Sequence, residues 1–415
     1  MKKKKIKTKI IKNTIDLWSF SSIAGIASAL FFIVLARFLS VESYSLLYAL
    51  VAFSFFLTIP QETIRTVISR LMAKLFVKKE KGKMKYIFSK FSKRIFIFAI
   101  ALTIIYIALI PVLEGLFKTT FWPIFIIGIA IIFSFMLAVT RGTLQGILKF
   151  KPLGINNSVE HVSKLGIALL LILLLPEHLK LIGALISIPA SLLISYLIGF
   201  IPLKNILKSK KKNYNEGKIF KYFVASFTIF LIIGVIYSLD IILARYFFSE
   251  NLSGLYAGIA MIGKSLFFIG LYAKRVMFPS IVKEEKNPKK TKKLLIKTGF
   301  LLLLLFSFFF VISAIFPNFL IMIFLGSKYL SVAPLLKYIV LAFAFFSLST
   351  LLIFYNLSLD INKKISIKLL LSATFMQFAL LLIFHSSLLQ FISMLIIVNA
   401  LMFVFLLIIN LRKQE

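Results

Sequence analysis

The sequence has no cysteine, three histidines and two tryptophans, and sets only 14 acidic residues against 50 basic ones in 415. Without cysteine there can be no disulfide and no thiolate metal site. Three scattered histidines cannot assemble a zinc enzyme. No G-x-x-x-x-G-K-[ST], H-E-x-x-H or G-x-S-x-G is present, so the chain holds no recognisable ATP motor or hydrolase. An enzyme is not expected, and no cofactor is implied.

What the chain does have is apolar surface. It is 60% hydrophobic, whereas a soluble domain is about 45–50% apolar. Runs of about 20 apolar residues recur along the whole length, each long enough to cross about 30 Å of hydrocarbon. Lipid forces backbone groups to pair within each span, so the expected fold class is an all-α membrane protein. The net charge of +36 would suggest nucleic acid in a soluble protein. Here the bases fall between apolar runs, so they read as a topology signal and a contact surface for anionic lipid headgroups, with no nucleic-acid partner. The basic N-terminus, MKKKKIKTKIIK, continues into a full span without a small-residue cleavage site, which suits a retained first helix rather than a signal peptide.

Twelve spans are expected. In the first half they run about Ile15–Leu39, Tyr44–Ala73, Ile95–Phe117, Phe121–Leu144, Ile155–Leu175 and Leu181–Leu203. In the second they run about Ile219–Phe247, Leu252–Val282, Leu294–Phe316, Tyr329–Leu359, Ile367–Phe384 and Leu388–Leu411. Residues 204–218, polar and basic, divide the lobes 1–203 and 219–415. Lys and Arg concentrate in the termini and in alternate links, while the other links are short and nearly bare of them. This places both termini on the cytoplasmic side of a cytoplasmic-membrane protein. The outward links are too short to hold a catalytic domain.

The halves also match in sequence. LARFLSVESYSLLYA (Leu35–Ala49) pairs without a gap with LARYFFSENLSGLYA (Leu243–Ala257), at an offset of 243 − 35 = 208. Arg37/Arg245, Glu42/Glu250, Ser45/Ser253 and Tyr48/Tyr256 keep one register, which chance matching of apolar letters does not explain. A repeated helix–turn–helix opening two halves of a membrane chain is the pattern of a duplicated transporter.

Ionisable groups at bilayer depth are costly, so they mark either function or internal pairing. Gln61, Glu62 and Arg65 follow Pro60 and share a helical face, as a binding element or as a self-neutralised packing lock. Lys264 falls mid-span with no acid nearby in sequence, and Arg275 lies about three turns away on the same face. Both are candidates for holding an anion, while Lys274 and Arg275 could instead snorkel to headgroups. Asp240 either pairs with a cation or binds a coupling ion. Arg37 and Arg245, in the duplicated turns, either fix those turns or latch a gate. Glu160 and Lys164 read as a solvated pair at the inner rim.

The segment LARFLSVESYSLLYAL resembles the first-hairpin signature of the polysaccharide-biosynthesis/oligosaccharide-flippase branch of the MATE-like (multidrug/oligosaccharidyl-lipid/polysaccharide) superfamily, and the second copy keeps Gly254-Leu255-Tyr256. RGTLQGILKF (Arg141–Phe150) is similar to that family's helix 4 exit, and FLGSKYLSVAPLLK (Phe324–Lys337) to its helix 9–10 entry. The resemblance covers nearly the whole chain. It implies a MATE-like fold of two six-helix lobes around a cavity that opens to either side in turn. It also implies translocation of polyprenyl- or dolichyl-(pyro)phosphate-linked oligosaccharides for cell-surface polysaccharide or glycoprotein synthesis. An anionic headgroup suits a cavity bearing Arg65, Lys264 and Arg275. The alternatives are a cation-coupled drug or organic-ion exporter of the same fold, which needs acids in the cavity, and a non-transporting scaffold for glycan-assembly enzymes.

Overall fold

The computed structural model describes residues 20, 22–214, 220–284, 287–359, 361 and 363–412. The basic N-terminal segment, linker residues 215–219 and the side chains of Pro60 and Arg275 lie outside the described residues. All regular structure among the described residues is helical, without a strand. The helices are α1 (Ser22–Phe38), α2 (Val41–Val77), α3 (Lys81–Ala108), α4 (Ile110–Phe117), α5 (Phe121–Gly146), α6 (Phe150–Leu174), α7 (Lys180–Ile198) and α8 (Lys204–Leu207). They continue as α9 (Phe220–Phe247), α10 (Glu250–Lys283), α11 (Pro288–Ile315), α12 (Pro317–Phe324), α13 (Leu336–Ser358), α14 (Lys363–Ile383) and α15 (Leu388–Arg412). Among the described residues, nine helices are long and apolar enough to cross a membrane, and two more apolar helices are shorter. The chain is a multi-pass membrane protein.

Two basic stretches expected as loops are helical instead. α3 begins at Lys81, more than three turns before the expected Ile95. Its first turns bury Met84, Ile87 and Phe88, an i, i+3, i+4 stripe that the surrounding lysines disguise. Only a short turn around Lys79, in the left-handed region at φ 56°, separates it from α2. α11 likewise starts at Pro288, capped by the Asn287 side chain, which accepts from the Lys290 N–H. In the other direction, Pro111 ends the expected third span early. The chain breaks at Leu109 and restarts as α4, with proline in its first turn.

The chain divides into two compact units, Met1–Leu39 with Ala49–Gly234, and Ser40–Tyr48 with Val235–Glu415. In the first, α5 is the most enclosed long helix and packs against α3, α6 and α7. In the second, α13 holds that place against α11, α14 and α15, and also meets α10. Each unit adds a short helix after its third long one: α4 follows α3, and α12 follows α11. The packing scheme thus repeats along with the sequence. By contrast α3, α6 and α11 bury little of their apolar surface within the protein, as suits helices facing lipid.

A tight contact in the first unit joins α5 and α2. Gly142 and Gly146 form a G-x-x-x-G pair on one face of α5. A Cβ on Gly142 would lie 2.8 Å from the Arg65 carbonyl oxygen, and one on Gly146 would lie 2.5 Å from both the Ser69 oxygen and the Met72 Cβ. We predict that Gly142→Leu or Gly146→Leu costs about 1–3 kcal/mol through overpacking, seen as a lowered melting temperature in detergent. Gly166, with nothing within 4 Å, should accept leucine with little change.

Candidate functional site

In the second unit, α9 and α10 bring together an acid, a lysine and two tyrosines. Asp240 and Lys264 are almost fully buried, and the Lys264 Nζ lies 2.8 Å from Asp240 Oδ1. The Tyr256 hydroxyl donates to Asp240 Oδ2 at 2.7 Å. Tyr256 and Lys264 are eight residues apart, about two turns, and so reach the same carboxylate from one face of α10. Lys264 also donates to the Tyr237 carbonyl at 2.6 Å and sits over the Tyr237 ring at 4.6 Å. The pair therefore has excellent geometry and filled hydrogen-bonding positions, which a buried ion pair needs to offset its desolvation.

Lys274 is different. It is fully buried on α10, and its ammonium donates to the Thr350 hydroxyl and to the Ser347 carbonyl on α13. The Phe267 and Phe354 rings lie 4.8 and 5.8 Å from it. None of these groups is a carboxylate, so among the described residues the positive charge is solvated by dipoles and ring faces.

The duplicated turns meet within the second unit. The Ser45 and Ser253 hydroxyls, equivalent residues of the repeat, lie 2.7 Å apart in a buried contact. Arg245 is buried, reaching Glu250 at 3.0 Å and the Ser45 hydroxyl at 3.4 Å. The Asn251 amide donates to Glu42 at 2.8 Å. Arg37, the counterpart of Arg245, is exposed at the end of α1. The copies differ by one residue at the turn itself. Ser40 caps α2 through the Ser43 N–H, whereas Ser249 caps α10 through the Leu252 N–H. One residue has moved from the start of the second helix to the end of the first.

In the first unit, Arg65 pairs with Glu62 one turn before it at 2.9 Å, on a partly exposed face that also carries Gln61. α2 continues as helix through Pro60. The second charged group there was not visible from the spacing of residues. Glu160 does not form a rim pair with Lys164. It binds Arg141 of α5 at 2.6 Å, with both side chains mostly covered. The Arg141 Nε also donates to the Asn156 side chain at 2.8 Å, and Asn156 donates to the Ser195 carbonyl on α7 at 2.6 Å. Lys164 instead lies over the Phe31 ring at 4.4 Å. The neighbouring His161 keeps a buried Nδ1 that has no hydrogen-bond partner among the described residues. The arginine in RGTLQG, at the end of an apolar run and i, i+15 from an asparagine, was the only available signal. Among the described residues no group of three His, Asp or Glu could hold a metal ion.

Removing one member of a buried pair strands the other. Asp240→Ala should cost about 3–5 kcal/mol, while the double change Asp240→Asn with Lys264→Met should be nearly neutral. Thermal melting of purified protein in detergent distinguishes these outcomes.

The chain matches no protein-family model. It is 27% identical over 209 residues to an uncharacterized membrane protein of Methanocaldococcus jannaschii, a match covering 46% of this chain and 48% of that protein. The chain thus spans about half the length of this curated relative. Its structure is similar to the lipid II flippase MurJ in an inward closed conformation, with a TM-score of 0.70 at 16% identity over 96% of this chain and 87% of that one. It is similar to a eukaryotic MATE transporter, with a TM-score of 0.65 at 16% identity over 96% of each chain. A MOP superfamily transporter from Pyrococcus furiosus, for which reversed polarity of the binding pocket suggests a different function, gives a TM-score of 0.60 at 14% identity over 97% and 93%. The chain has the fold shared by this MATE transporter and MurJ.

Proposed function

We propose that the protein is a flippase that moves a polyprenyl- or dolichyl-(pyro)phosphate-linked oligosaccharide across the cytoplasmic membrane by alternating access. Two six-helix lobes, 1–203 and 219–415, joined by the linker 204–218, enclose a cavity that opens to either side in turn, and both termini face the cytoplasm. The observation that carries this reading is an excess of buried positive charge. In the second unit the buried Lys264, Lys274 and Arg245 accompany the buried Asp240, while in the first unit Arg141 and Lys164 are half-buried with the half-buried Glu160. A surplus cation held in hydrocarbon is costly and calls for a negatively charged cargo.

In this reading Arg65, Lys264, Lys274 and Arg275 contact the phosphate, with Gln61 and Glu62 beside them on α2. Asp240 is the coupling group. A proton or cation on its carboxylate loosens its hold on Lys264, and the freed ammonium turns to the cargo. Arg245 and Arg37 work the outer gate, where Arg245 already bridges Glu250 and Ser45. A membrane lipid chain stays in the bilayer while the headgroup crosses. MurJ, of the same fold, is a flippase for lipid II, which supports a lipid-linked cargo.

A second reading is a cation-coupled drug exporter, since several proteins of this fold are multidrug transporters. Its support is the Glu62 side chain, 52% exposed and so open to a cation.

The test is leaflet accessibility of a polyprenyl-pyrophosphate-linked glycan in reconstituted vesicles, with and without an ion gradient. Lys274→Met and Arg65→Gln should each slow flipping by roughly 10- to 100-fold, the worth of a charged hydrogen bond, while leaving membrane insertion intact. Unchanged flipping in both variants removes the cationic site. Gradient-driven transport of an organic cation, lost in Glu62→Gln with no glycan movement, establishes the exporter instead.

A further inference from the structure

α2 is one continuous helix, yet its two parts belong to different surroundings. Its opening turns, with the link before them, make up Ser40–Tyr48 and fall in the second compact unit, whereas the helix from Ala49 onward falls in the first. The segment 40–48 has therefore left its own half of the chain to pack on the start of α10.

The crossing is made possible by one glycine. A Cβ at Gly254 would lie 2.1 Å from the Val41 carbonyl oxygen and 2.8 Å from its carbonyl carbon. Those are backbone atoms, which cannot swing aside as the end of a flexible side chain does, so only a residue without a Cβ lets the two helices touch here. The repeat sets Leu46 opposite Gly254, since 254 − 208 = 46. The first copy thus keeps a bulky side chain at the position where the second has none.

Around this contact the hydrogen bonds run in one direction. Arg245 donates to the Ser45 hydroxyl at 3.4 Å, and the Ser253 hydroxyl donates to the Glu250 carbonyl at 3.0 Å. With its own proton so used, Ser253 accepts from Ser45 across the 2.7 Å gap. The Asn251 amide adds a bond to Glu42 at 2.8 Å on the exposed side, and the buried Tyr44 ring meets the Tyr329 ring edge-on at 6.1 Å. Hydroxyls and amides that part regain partners from water, so such bonds set a geometry without locking it. Close backbone fit joined by exchangeable hydrogen bonds suits a contact that opens and recloses.

We propose that residues 40–48 form a clasp that shuts the outer end of the transport path, and that Gly254 sets how firmly it shuts. Opening lifts Val41 and Ser45 off α10 and admits water between the two serines. Any side chain at 254, the leucine of the first copy included, holds the clasp ajar. The proposal rests on the alternating-access reading and on both termini facing the cytoplasm; it adds which segment moves and which residue fixes the balance of states.

Because the chain has no cysteine, Ser45→Cys introduces its single thiol. In right-side-out vesicles the rate at which a membrane-impermeant methanethiosulfonate modifies that thiol reports the open fraction. Modification should be slow in this variant and roughly 10-fold faster when Gly254→Ala is added, the shift that modest overpacking of a tight contact produces. Ser313→Cys is the control for general loosening, since Ser313 is buried on α11 of the same unit. Its rate should stay unchanged when Gly254→Ala is added.

Ser45→Cys with Ser253→Cys supplies a second arm. Oxidation with copper phenanthroline should join the pair, seen as two thiols lost to alkylation by intact-mass measurement. The joined protein should no longer move a polyprenyl-pyrophosphate-linked glycan in reconstituted vesicles, and reduction should restore movement. Unaltered labelling of Ser45→Cys on adding Gly254→Ala, an equal rise at Ser313→Cys, or full glycan movement by the joined protein overturns the clasp. Labelling that responds as described in a protein that moves no glycan before oxidation upholds the clasp and removes the flippase reading instead.

Discussion

A charge at the depth of the hydrocarbon must find a partner or a ligand, and this constraint organises both units of the protein. Water cannot reach such a group to solvate it, so the protein supplies the missing shell. For Asp240 it supplies an ammonium and a phenol, each within 3 Å. For Lys274 it supplies a hydroxyl, a carbonyl and two aromatic faces, which solvate the charge without cancelling it. For Arg141 it supplies an asparagine and a glutamate on the adjacent helix. These groups tie α9 to α10, α10 to α13, and α5 to α6. The packing of the long helices and the placing of charge are therefore one problem solved by the same side chains.

The repeat shows what duplication preserves and what it releases. Packing order is kept, since α5 and α13 occupy matching places among their neighbours. The hydroxyl pair Ser45–Ser253 joins equivalent residues of the repeat. Charge is not kept. Arg245 is buried against Glu250 and Ser45, whereas Arg37 is exposed. Lys264 and Lys274 on α10 face buried partners, whereas α2 carries the solvent-reaching Glu62–Arg65 pair at its own midpoint.

Much of this could be read from residues alone. Apolar runs of membrane length gave the helical class, and the register of Arg, Glu, Ser and Tyr at an offset of 208 revealed the duplication. The starts of α3 and α11 could not be placed by charge density, because lysine is a good helix former and the buried stripe Met84–Ile87–Phe88 lies among charges. Pro111 carried the information that the third span ends early, since proline opens a helix more readily than it continues one. Partner choice was the least legible part. Glu160 had a nearby lysine at the favoured i, i+4 spacing, yet it is Arg141, nineteen residues away, that meets it. A planar guanidinium can bind a carboxylate and an amide at once, and only the packing of α5 on α6 brings it within reach. The pairing of Asp240 with Lys264 likewise depends on how α9 and α10 cross, which spacing along either helix does not encode.

The central claim is that surplus buried positive charge selects a negatively charged cargo. Equilibrium binding of two ligands to the purified wild-type protein tests it most directly, a polyprenyl-pyrophosphate-linked glycan against a cationic aromatic dye of similar apolar area. The account predicts tight binding of the glycan, weakened by added salt, with the dye bound poorly and unable to displace it. Preferential binding of the dye, displaced by no anionic lipid, would contradict it.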